Sequence, residues 1–569
     1  MRPPSSTSVE RDAAGSGIGG APADDEDPRA DLTWGTIPRL VADGATRFAD
    51  AEALVDGETR LSFAALAEAV DRYARGCMAD GVGPGERVAM WAPNCAEWML
   101  AALGVLRAGA VLVPMNTRFK GAEASYLLRA SGATTLFTVR GFLGVDYPDL
   151  LSGEDVGDLK RTVLLRDEGG GAERDGVVGL EAYLAAGERI DPAEAARRAD
   201  AIGPDDVSDV IFTSGTTGYP KGAATTHAQS LRTFGAWASI VGLAAGDRYL
   251  VVNPFFHTFG YKAGILACLM AGATVVPEAV FDAATVMERI PAERITVLPG
   301  PPTLYQTLLA DPRREEYDLS SLRLGVTGAA VVPVELVHAM RDQLGFSTVL
   351  TAYGLTESCG TVTMCRRSDP PDVIAGTSGR AIPGLEVDVV ADGSSVGVGE
   401  PGEIVVRGYT VMSGYWGDDE ATAAAIDAAG WLHTGDVGVV DAEGNVTVTD
   451  RLKDMFVVGG FNAYPAEIEA MLRTHDGVAQ IAVIGVPDER MGEVGCAYIV
   501  PAPDVAESDT LAQSVMAWAR DAMANYKVPR QVVLVDALPL NAGGKVLKRE
   551  LRRRHAARQD HVVPYERSS

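Results

Sequence analysis

The sequence predicts an α/β fold with largely parallel sheets, and its repeating pattern is the first reason. Short apolar strand candidates at 87–91 and 111–114 alternate with helical spacing at 61–78 and 98–106, and such alternation is typical of βαβ units. The pattern changes over 385–450, where apolar and polar residues alternate between glycines and aspartates. This second pattern predicts a small β-rich subdomain after the α/β part.

The C-terminal part predicts a separate α+β unit. Strand candidates at 478–486, 497–500 and 531–535 are interleaved with helical spacing at 465–472 and 511–523. Such a unit has about one hundred residues, the usual size of a small domain. The basic stretch 548–558 is interpreted as a solvated helix end.

Length and composition limit the classes of function. The chain has 569 residues, 47% of them hydrophobic, which suggests about two to four domains. A net charge of −27 argues against nucleic-acid binding and against a polybasic membrane anchor. The sequence contains neither a signal peptide nor a transmembrane run of ~18 apolar residues. Six cysteines without a CxxC pair indicate reduced core thiols and a cytoplasmic setting.

The first 31 residues predict a disordered leader, because they are rich in Gly, Ala, Pro, Ser and acidic residues. Folded sequence is expected to begin near Leu32. Residues 168–174 are expected to form a loop.

A hydroxyl- and glycine-rich loop follows the apolar strand candidate 210–212. Its glycines allow backbone N–H groups to approach an anion, its hydroxyls add donors, and its lysine adds a positive charge. The spacing excludes a Walker A loop, in which Ser or Thr directly follows Gly-Lys. A flexible linker is the alternative. The loop reads Thr213-Ser214-Gly215-Thr216-Thr217-Gly218-Tyr219-Pro220-Lys221-Gly222.

These ten residues resemble the signature loop of the adenylate-forming superfamily, which includes acyl-CoA synthetases, peptide-synthetase adenylation domains and luciferases. The resemblance extends over about residues 32–553. It implies a large N-terminal domain of two α/β subdomains plus a β-rich subdomain, with a small mobile α+β C-terminal domain. The implied divisions are a leader at 1–31, an N-terminal domain at 32–450, a hinge at 451–453, a C-terminal domain at 454–556 and a tail at 557–569.

The resemblance also implies roles for residues of the N-terminal domain. His257, within the aromatic stretch 253–260, would line the acyl site, although a lone histidine is often structural. In the motif 351–357, Tyr353 would stack on adenine, Thr356 would contact the α-phosphate, and Glu357 would hold Mg²⁺. Gly354 would also belong to the cofactor-binding residues. Upstream, Gly328, Ala329 and Ala330 would lie along the adenine. Thr217 of the signature loop would be the second metal ligand, and the loop would bind phosphate through Thr213, Ser214, Gly215, Thr216, Thr217, Gly218 and Lys221.

Four further motifs match the family in order. Asp436 would accept hydrogen bonds from the ribose hydroxyls, and Arg451 would bind ribose or phosphate oxygens. Lys453 would be the pivot of the C-terminal domain. Gly459 and Gly460 would flank the pantetheine, and Lys545 would bridge the carboxylate and the α-phosphate. Taken singly, these motifs are typical of turns or solvated charged faces.

Residues 254–269 and 298–303 look like one acyl-CoA synthetase subgroup. It includes actinobacterial enzymes that activate the indane-dione propanoate left from steroid rings. Substrate pockets do not follow from the fold. Tyr261 and Lys262 are expected near the pocket mouth, with Lys262 facing solvent rather than a polar acyl substituent.

The sequence therefore predicts an ATP-dependent carboxylic acid:CoA ligase that uses Mg²⁺ and forms acyl-CoA, AMP and pyrophosphate through an acyl-adenylate. The acid would be a fatty acid or a steroid-derived propanoate, and a homodimer is left open. The alternatives are a biosynthetic enzyme activating an aryl acid, an amino acid or nitrite, a luciferase-like oxygenase, and a non-catalytic nucleotide-binding regulator.

Overall fold

A computed structural model describes residues 26–168, 176–214, 219–328, 332–451, 455–502, 505, 509–539, 546–557 and 562–564. Most of the predicted leader and of the 168–174 loop lies outside these ranges. The first described helix begins at Ala30, slightly before the expected start at Leu32. Asp27 pairs with Arg232 at 2.7 Å, so residues just before the helix already contact the folded chain.

The strands, numbered in chain order, are β1 (Glu52–Asp56), β2 (Thr59–Ser62), β3 (Arg87–Trp91), β4 (Val111–Pro114), β5 (Thr135–Arg140), β6 (Arg161–Asp167), β7 (Val177–Gly179), β8 (Val207–Ser214), β9 (Pro220–Thr226), β10 (Arg248–Val251), β11 (Thr274–Pro277), β12 (Leu324–Gly328), β13 (Thr348–Tyr353), β14 (Thr363–Met364), β15 (Arg380–Ala381), β16 (Glu386–Ala391), β17 (Ser394–Ser395), β18 (Gly402–Arg407), β19 (Gly414–Tyr415), β20 (Leu432–Val440), β21 (Val446–Arg451), β22 (Phe456–Val458), β23 (Phe461–Ala463), β24 (Val478–Asp488), β25 (Gly492–Pro501), β26 (Gln531–Leu534) and β27 (Val563–Pro564).

The α-helices are α1 (Ala30–Trp34), α2 (Ile37–Arg47), α3 (Phe63–Ala79), α4 (Ala96–Arg107), α5 (Gly121–Ser131), α6 (Tyr147–Leu150), α7 (Leu180–Gly187), α8 (Pro192–Asp200), α9 (His227–Val241), α10 (Ala267–Ala271), α11 (Ala283–Glu293), α12 (Pro302–Ala310), α13 (Val334–Leu344), α14 (Pro371–Gly376), α15 (Asp419–Ala425), α16 (Pro465–Leu472), α17 (Asp509–Ala522) and α18 (Lys548–Ala556). A π-helix spans Phe259–Leu266, and 3₁₀ turns span Phe142–Gly144, Arg314–Glu316 and Thr356–Ser358.

The N-terminal part contains two predominantly parallel sheet systems. One sheet has the order β19-β9-β8-β4-β3-β5-β6-β7. The other system comprises β10-β11-β1-β2 and β12-β13-β14-β15, which isolated bridges through Val297 connect. Parallel strands need helical crossovers, and α4, almost wholly buried, supplies one between β3 and β4. This arrangement confirms the predicted α/β class.

The helix predicted over 61–78 begins at Phe63 instead, because Ser62 is its N-cap. The Ser62 hydroxyl accepts a hydrogen bond from the Ala65 N–H at 3.2 Å, and such a cap ends the preceding extended segment. Leu61 and Ser62 therefore lie in β2.

The β-rich subdomain and the C-terminal unit follow as expected. The sheet β17-β16-β18-β20-β21 is antiparallel. A further sheet, β23-β22-β25-β26-β27 with β24 paired to β25, has its own hydrophobic core, which runs from Phe456 to Val563. The main core lies in the N-terminal part. Two separate cores are what two domains require.

Candidate active site

The predicted phosphate loop connects two antiparallel strands. Thr213 of β8 pairs with Lys221 of β9, and Ser214 pairs with Pro220. The loop tip, 215–218, lies outside the described residues, as does the side chain of Ser214. Lys221 places its ammonium 5.3 Å from the ring centroid of Tyr415, so a cation stands at the base of the loop.

The Glu357 carboxylate meets the phosphate loop directly. Its Oε1 accepts a hydrogen bond from the Thr213 hydroxyl at 3.1 Å and another from the Tyr415 hydroxyl at 2.9 Å. Burial, then the carboxylate, raises the pKa of Tyr415 far above its usual value, so this hydroxyl stays a donor. The structure thus brings the predicted metal ligand and the predicted phosphate loop together.

The turn that carries Thr356 and Glu357 is packed against β13. A Cβ added to Gly354 would lie 2.4 Å from the carbonyl oxygen of Gly360, so only glycine allows this approach. Cys359 ends the turn with φ 56°. The two ends of the turn therefore approach each other closely through their backbones.

The predicted nucleoside residues are neighbours. The Tyr353 hydroxyl donates a hydrogen bond to Asp436 Oδ2 at 2.7 Å, and Gly328 at the end of β12 pairs with Ala352. Asp436 is buried in β20, where its N–H donates to the Thr434 hydroxyl. The residues predicted to bind adenine and ribose therefore lie next to each other. Ala329 and Ala330 lie outside the described residues.

The predicted acyl side is aromatic and apolar. Phe255 is fully buried against Trp98, with ring centroids 5.1 Å apart. Asn94 orders this segment, because its amide oxygen accepts from the Phe255 N–H at 2.7 Å and its Nδ2 donates to the carbonyls of Val251 and Asn253. Burial lowers the pKa of His257, which leaves a neutral imidazole beside this wall.

The expectation that Tyr261 and Lys262 lie near the pocket mouth is wrong. Both residues are fully buried in the π-helix. The Lys262 ammonium lies 2.9 Å from Asp209 Oδ1 and 2.7 Å from the Thr225 hydroxyl. Burial by itself lowers the pKa of Lys262, but the Asp209 carboxylate raises it above its ordinary value. A buried charge persists only when paired, and Asp209 supplies the pair.

Lys262 also donates toward the thiol of Cys359 at 3.5 Å. Cys359 ends the turn of Thr356 and Glu357. Lys262 therefore links that turn to Asp209 of β8 and Thr225 of β9. Its role in the structure is internal support of the site rather than contact with solvent.

The Gly459–Gly460 pair forms the two-residue turn of the β22–β23 hairpin. Val458 pairs with Phe461, and both glycines have positive φ, 55° and 88°, as a type I′ turn requires. A Cβ on Gly460 would lie 3.4 Å from Pro301. The hairpin tip from the C-terminal part therefore rests on the N-terminal part.

A cleft lies where these parts meet. Its cavity volume is about 60 Å³. Phosphate-loop, acyl-site and hairpin residues share its lining: Thr213, Phe256, His257, Thr356, Phe461 and Asn462. The cleft joins the predicted adenylate centre to the predicted thiol entry.

The described residues include only the backbone of Arg451 from the predicted hinge, and they do not include the predicted catalytic lysine. Arg451 pairs with Asp436 through the backbone of β20 and β21, but its side chain is not described. Lys453 and Lys545 lie outside the described residues. The structure thus gives no geometry for the predicted pivot or for the predicted catalytic lysine.

Sequence reasoning missed three residues that order the site. Tyr415 reaches Glu357 because Gly414 and Tyr415 pair with β9, and no local pattern signals that pairing. Asn94 precedes a buried helix and appears unremarkable in sequence. Glu403 supports β20, the strand of Asp436, since it accepts from the Gly435 N–H at 2.9 Å and contacts His433 Nδ1 at 2.9 Å.

Among the described residues, no three His, Cys, Asp or Glu side chains gather into a metal cluster. Mg²⁺ is commonly bound by one or two carboxylates with substrate phosphates and water. Glu357, the predicted metal ligand, places a carboxylate beside the predicted phosphate loop.

Comparisons with known proteins show to which family the chain belongs. The family described as AMP-binding enzyme matches residues 41–416, and the AMP-binding enzyme C-terminal domain matches residues 467–545. The chain therefore belongs to the AMP-binding enzyme family. Within the family it is an acid–thiol ligase, which forms acyl-CoA from a carboxylic acid, ATP and CoA through an acyl-adenylate.

Individual relatives span nearly the whole chain. A 7a-methyl-1,5-dioxo-octahydro-1H-inden-4-yl propanoyl:CoA ligase from Rhodococcus jostii is 51% identical over 519 residues, 91% of this chain and 98% of the relative. The protein of the same name from Mycobacterium tuberculosis is 48% identical over 517 residues, with the same coverages. The amide bond synthetase McbA from Marinactinospora thermotolerans superimposes with a TM-score of 0.76 at 28% identity, over 91% of this chain and 99% of that chain.

No helix within the described ranges has both the length and the apolar character needed to cross a membrane.

Proposed function

We propose that the acid is a bicyclic, steroid-derived propanoate of the indane-dione type. Two relatives named for that substrate share about half of their residues with this chain over nearly its whole length. Phe256 and the neutral His257, which line the cleft, suit an uncharged ring system attached to the carboxylate. An apolar wall contributes by burying the ring surface.

We further propose the residue roles that the motifs imply. The loop 213–221 binds the phosphates, Tyr353 and Asp436 bind adenine and ribose, and Thr356 contacts the α-phosphate. Glu357 would hold Mg²⁺ together with Thr217, and that ion would neutralise charge on the phosphates. Thr213 and Tyr415 keep the Glu357 carboxylate in one orientation. These contacts supply the positioning on which phosphoryl chemistry depends.

The proposed reaction has two steps. A carboxylate oxygen bonds to the α-phosphorus of ATP while the bond to pyrophosphate breaks, and Lys545 stabilises the charge that develops. The C-terminal domain then turns about Lys453. The CoA sulfur, having lost its proton, attacks the acyl carbonyl, and AMP leaves with the bonding electrons. The observation that carries this proposal is the position of the glycine hairpin: Gly460 approaches Pro301, and the next residue, Phe461, lines one cleft together with Thr356.

The domain division at 32–450, 451–453 and 454–556 belongs to this proposal. The separate cores of the N-terminal and C-terminal parts support it. A cytoplasmic setting, a homodimer and a disordered leader stay predictions of the sequence.

The decisive experiment is AMP release from MgATP with a panel of acids, with and without CoA. The panel contains the indane-dione propanoate, fatty acids of increasing length, aryl acids and nitrite. We expect AMP and thioester to form together, and only with CoA and the bicyclic propanoate. Preference for another acid overturns the substrate proposal but leaves the ligase.

A second acceptor is a specific alternative, because a structural neighbour is named an amide bond synthetase. The same panel with simple amines in place of CoA tests it. Amide formation without thioester would favour a biosynthetic enzyme of the kind that the sequence left open.

A further inference from the structure

A buried three-charge cluster joins the C-terminal part to the N-terminal part. The Lys527 ammonium lies 2.6 Å from Glu123 Oε1 and 2.6 Å from Glu467 Oε1. The three side chains are only 1%, 6% and 5% exposed, respectively. We refer to Glu123, Lys527 and Glu467 as the interdomain cluster.

Glu123 alone in this cluster comes from the N-terminal part. It lies in the first turn of α5, where its Oε2 accepts from the Lys120 N–H at 2.9 Å. The same Oε2 accepts from the Ala524 N–H at 3.0 Å, across the boundary. The Glu123 carboxylate therefore caps the N-terminus of α5. It also binds the Ala524 N–H and the Lys527 ammonium of the C-terminal part.

Lys527 and Glu467 both belong to the C-terminal part and travel together when it moves. Burial by itself lowers the pKa of Lys527, but Glu467, Tyr526 and Glu123 raise it well above its ordinary value, so the side chain stays charged. The Glu123 contacts, in contrast, exist only while the two parts are docked in this arrangement. Charge-assisted hydrogen bonds of this kind are strong and directional.

Neighbouring contacts show what this docked arrangement achieves. The Arg118 guanidinium lies 4.8 Å from the Phe461 ring centroid, and Phe461 stacks on Tyr526 with centroids 5.0 Å apart. Phe461 directly follows Gly460, whose Cβ position lies beside Pro301. The interdomain cluster and the glycine hairpin therefore engage the N-terminal part in one and the same docked state.

We propose that Glu123 is a positioning residue for thioester formation: it holds the C-terminal domain in the state that presents Gly459 and Gly460 to the adenylate. This inference rests on the proposed two-step reaction. In the adenylate-forming state the domain is turned away and Glu123 makes neither contact. The residue thus acts on one half-reaction and not on the other.

The test is Glu123→Gln, which keeps the side-chain shape and removes the charge. Thioester formation is measured by mixing purified acyl-adenylate with CoA, and adenylate formation by acid-dependent exchange of pyrophosphate into ATP. We expect the first rate to fall about tenfold or more, as for a buried pair that loses one charge. Pyrophosphate exchange should stay within about twofold.

Two further variants separate positioning from stability. Glu278→Gln is the matched control, because Glu278 is similarly buried and its partner Arg289, at 2.8 Å, lies in the same part. It should leave the ratio of the two rates unchanged. In a double-mutant cycle, Glu123→Gln should add little to Lys527→Met, since each removes the same interaction.

The outcomes are exclusive. A selective loss of thioester formation supports the proposal. Equal loss in both half-reactions, selective loss of exchange, or no change in either overturns it, because each shows that Glu123 does not favour the thioester-forming state. If the unaltered protein forms no thioester from any adenylate, the proposed function fails instead.

Discussion

Gly354→Ala should disable adenylate formation through one steric contact. The added Cβ would lie 2.4 Å from Gly360 O, 2.6 Å from Gly360 C and 2.7 Å from Thr361 Cα. All three are backbone atoms, so no side-chain rotation relieves the clash. Restoring an ordinary contact of about 3.4 Å requires the backbone at Gly354 and the backbone at Gly360 to separate by about 1 Å.

This separation would displace the turn between Gly354 and Gly360, which carries Thr356 and Glu357. Overpacking of this kind costs about 1–3 kcal/mol of stability. A misplacement of about 1 Å in positioned groups lowers a rate about 100-fold. We therefore expect acid-dependent pyrophosphate exchange to fall about 100-fold in Gly354→Ala, while the melting temperature falls by only a few degrees.

Gly376→Ala is the matched control, because a Cβ at Gly376 meets nothing within 4 Å. It should retain exchange at the level of the unaltered protein. The steric reasoning is refuted if Gly354→Ala retains exchange within threefold of that control, or if the two variants lose activity equally.

Three other predictions concern separate groups. Tyr415→Phe removes a hydroxyl that donates to the Glu357 carboxylate at 2.9 Å, and a hydrogen bond to a charged group contributes about 1.5–3 kcal/mol; kcat/KM for MgATP should fall about tenfold to 100-fold, and an unchanged value would show that Tyr415 does not orient Glu357. Lys545→Ala should abolish adenylate formation and spare thioester formation from supplied acyl-adenylate; equal loss in the two steps would contradict the role of Lys545. Burial lowers the pKa of His227 to about 4, and its Nδ1 accepts from the Ile37 N–H at 3.3 Å. In the unfolded chain His227 becomes protonated near pH 6.5, whereas in the folded chain it stays neutral down to about pH 4. The free energy of unfolding therefore falls as the pH is lowered from 6.5 to 4, by about 3 kcal/mol in total. Between pH 7 and pH 4.5 the melting temperature should consequently change less with pH in His227→Gln than in the unaltered protein. An equal pH dependence of the two melting temperatures would show that His227 is not the cause.

Motifs that act through their own backbone were predictable from the sequence. The glycine hairpin at 459–460 and the turn at 356–357 are short stretches whose residue types favour their local conformation. Glycine at 459 and 460 allows positive φ, and hydroxyls and a lysine around a turn favour anions. Periodicity likewise predicted most helices and strands, because spacing along the chain maps directly onto a face.

The tertiary structure alone decided which distant charges meet. The sequence predicts that Lys262 faces solvent, yet in the structure it is buried and paired with Asp209 of β8. Tyr415 reaches Glu357 only because β19 docks on β9. Electrostatic partners act over a few ångströms in space, and separation along the chain gives no measure of that distance.

The interdomain cluster shows the same limit most clearly. Glu123, Glu467 and Lys527 each fit an ordinary solvated helix or turn when taken alone, and the sequence contains no local sign that they pair. Their burial follows from docking of the two parts. The sequence by itself determined the family, the site motifs and the class of reaction, while the docking of separately folded parts decided which charges hold those motifs in place, because only packing removes water from between them.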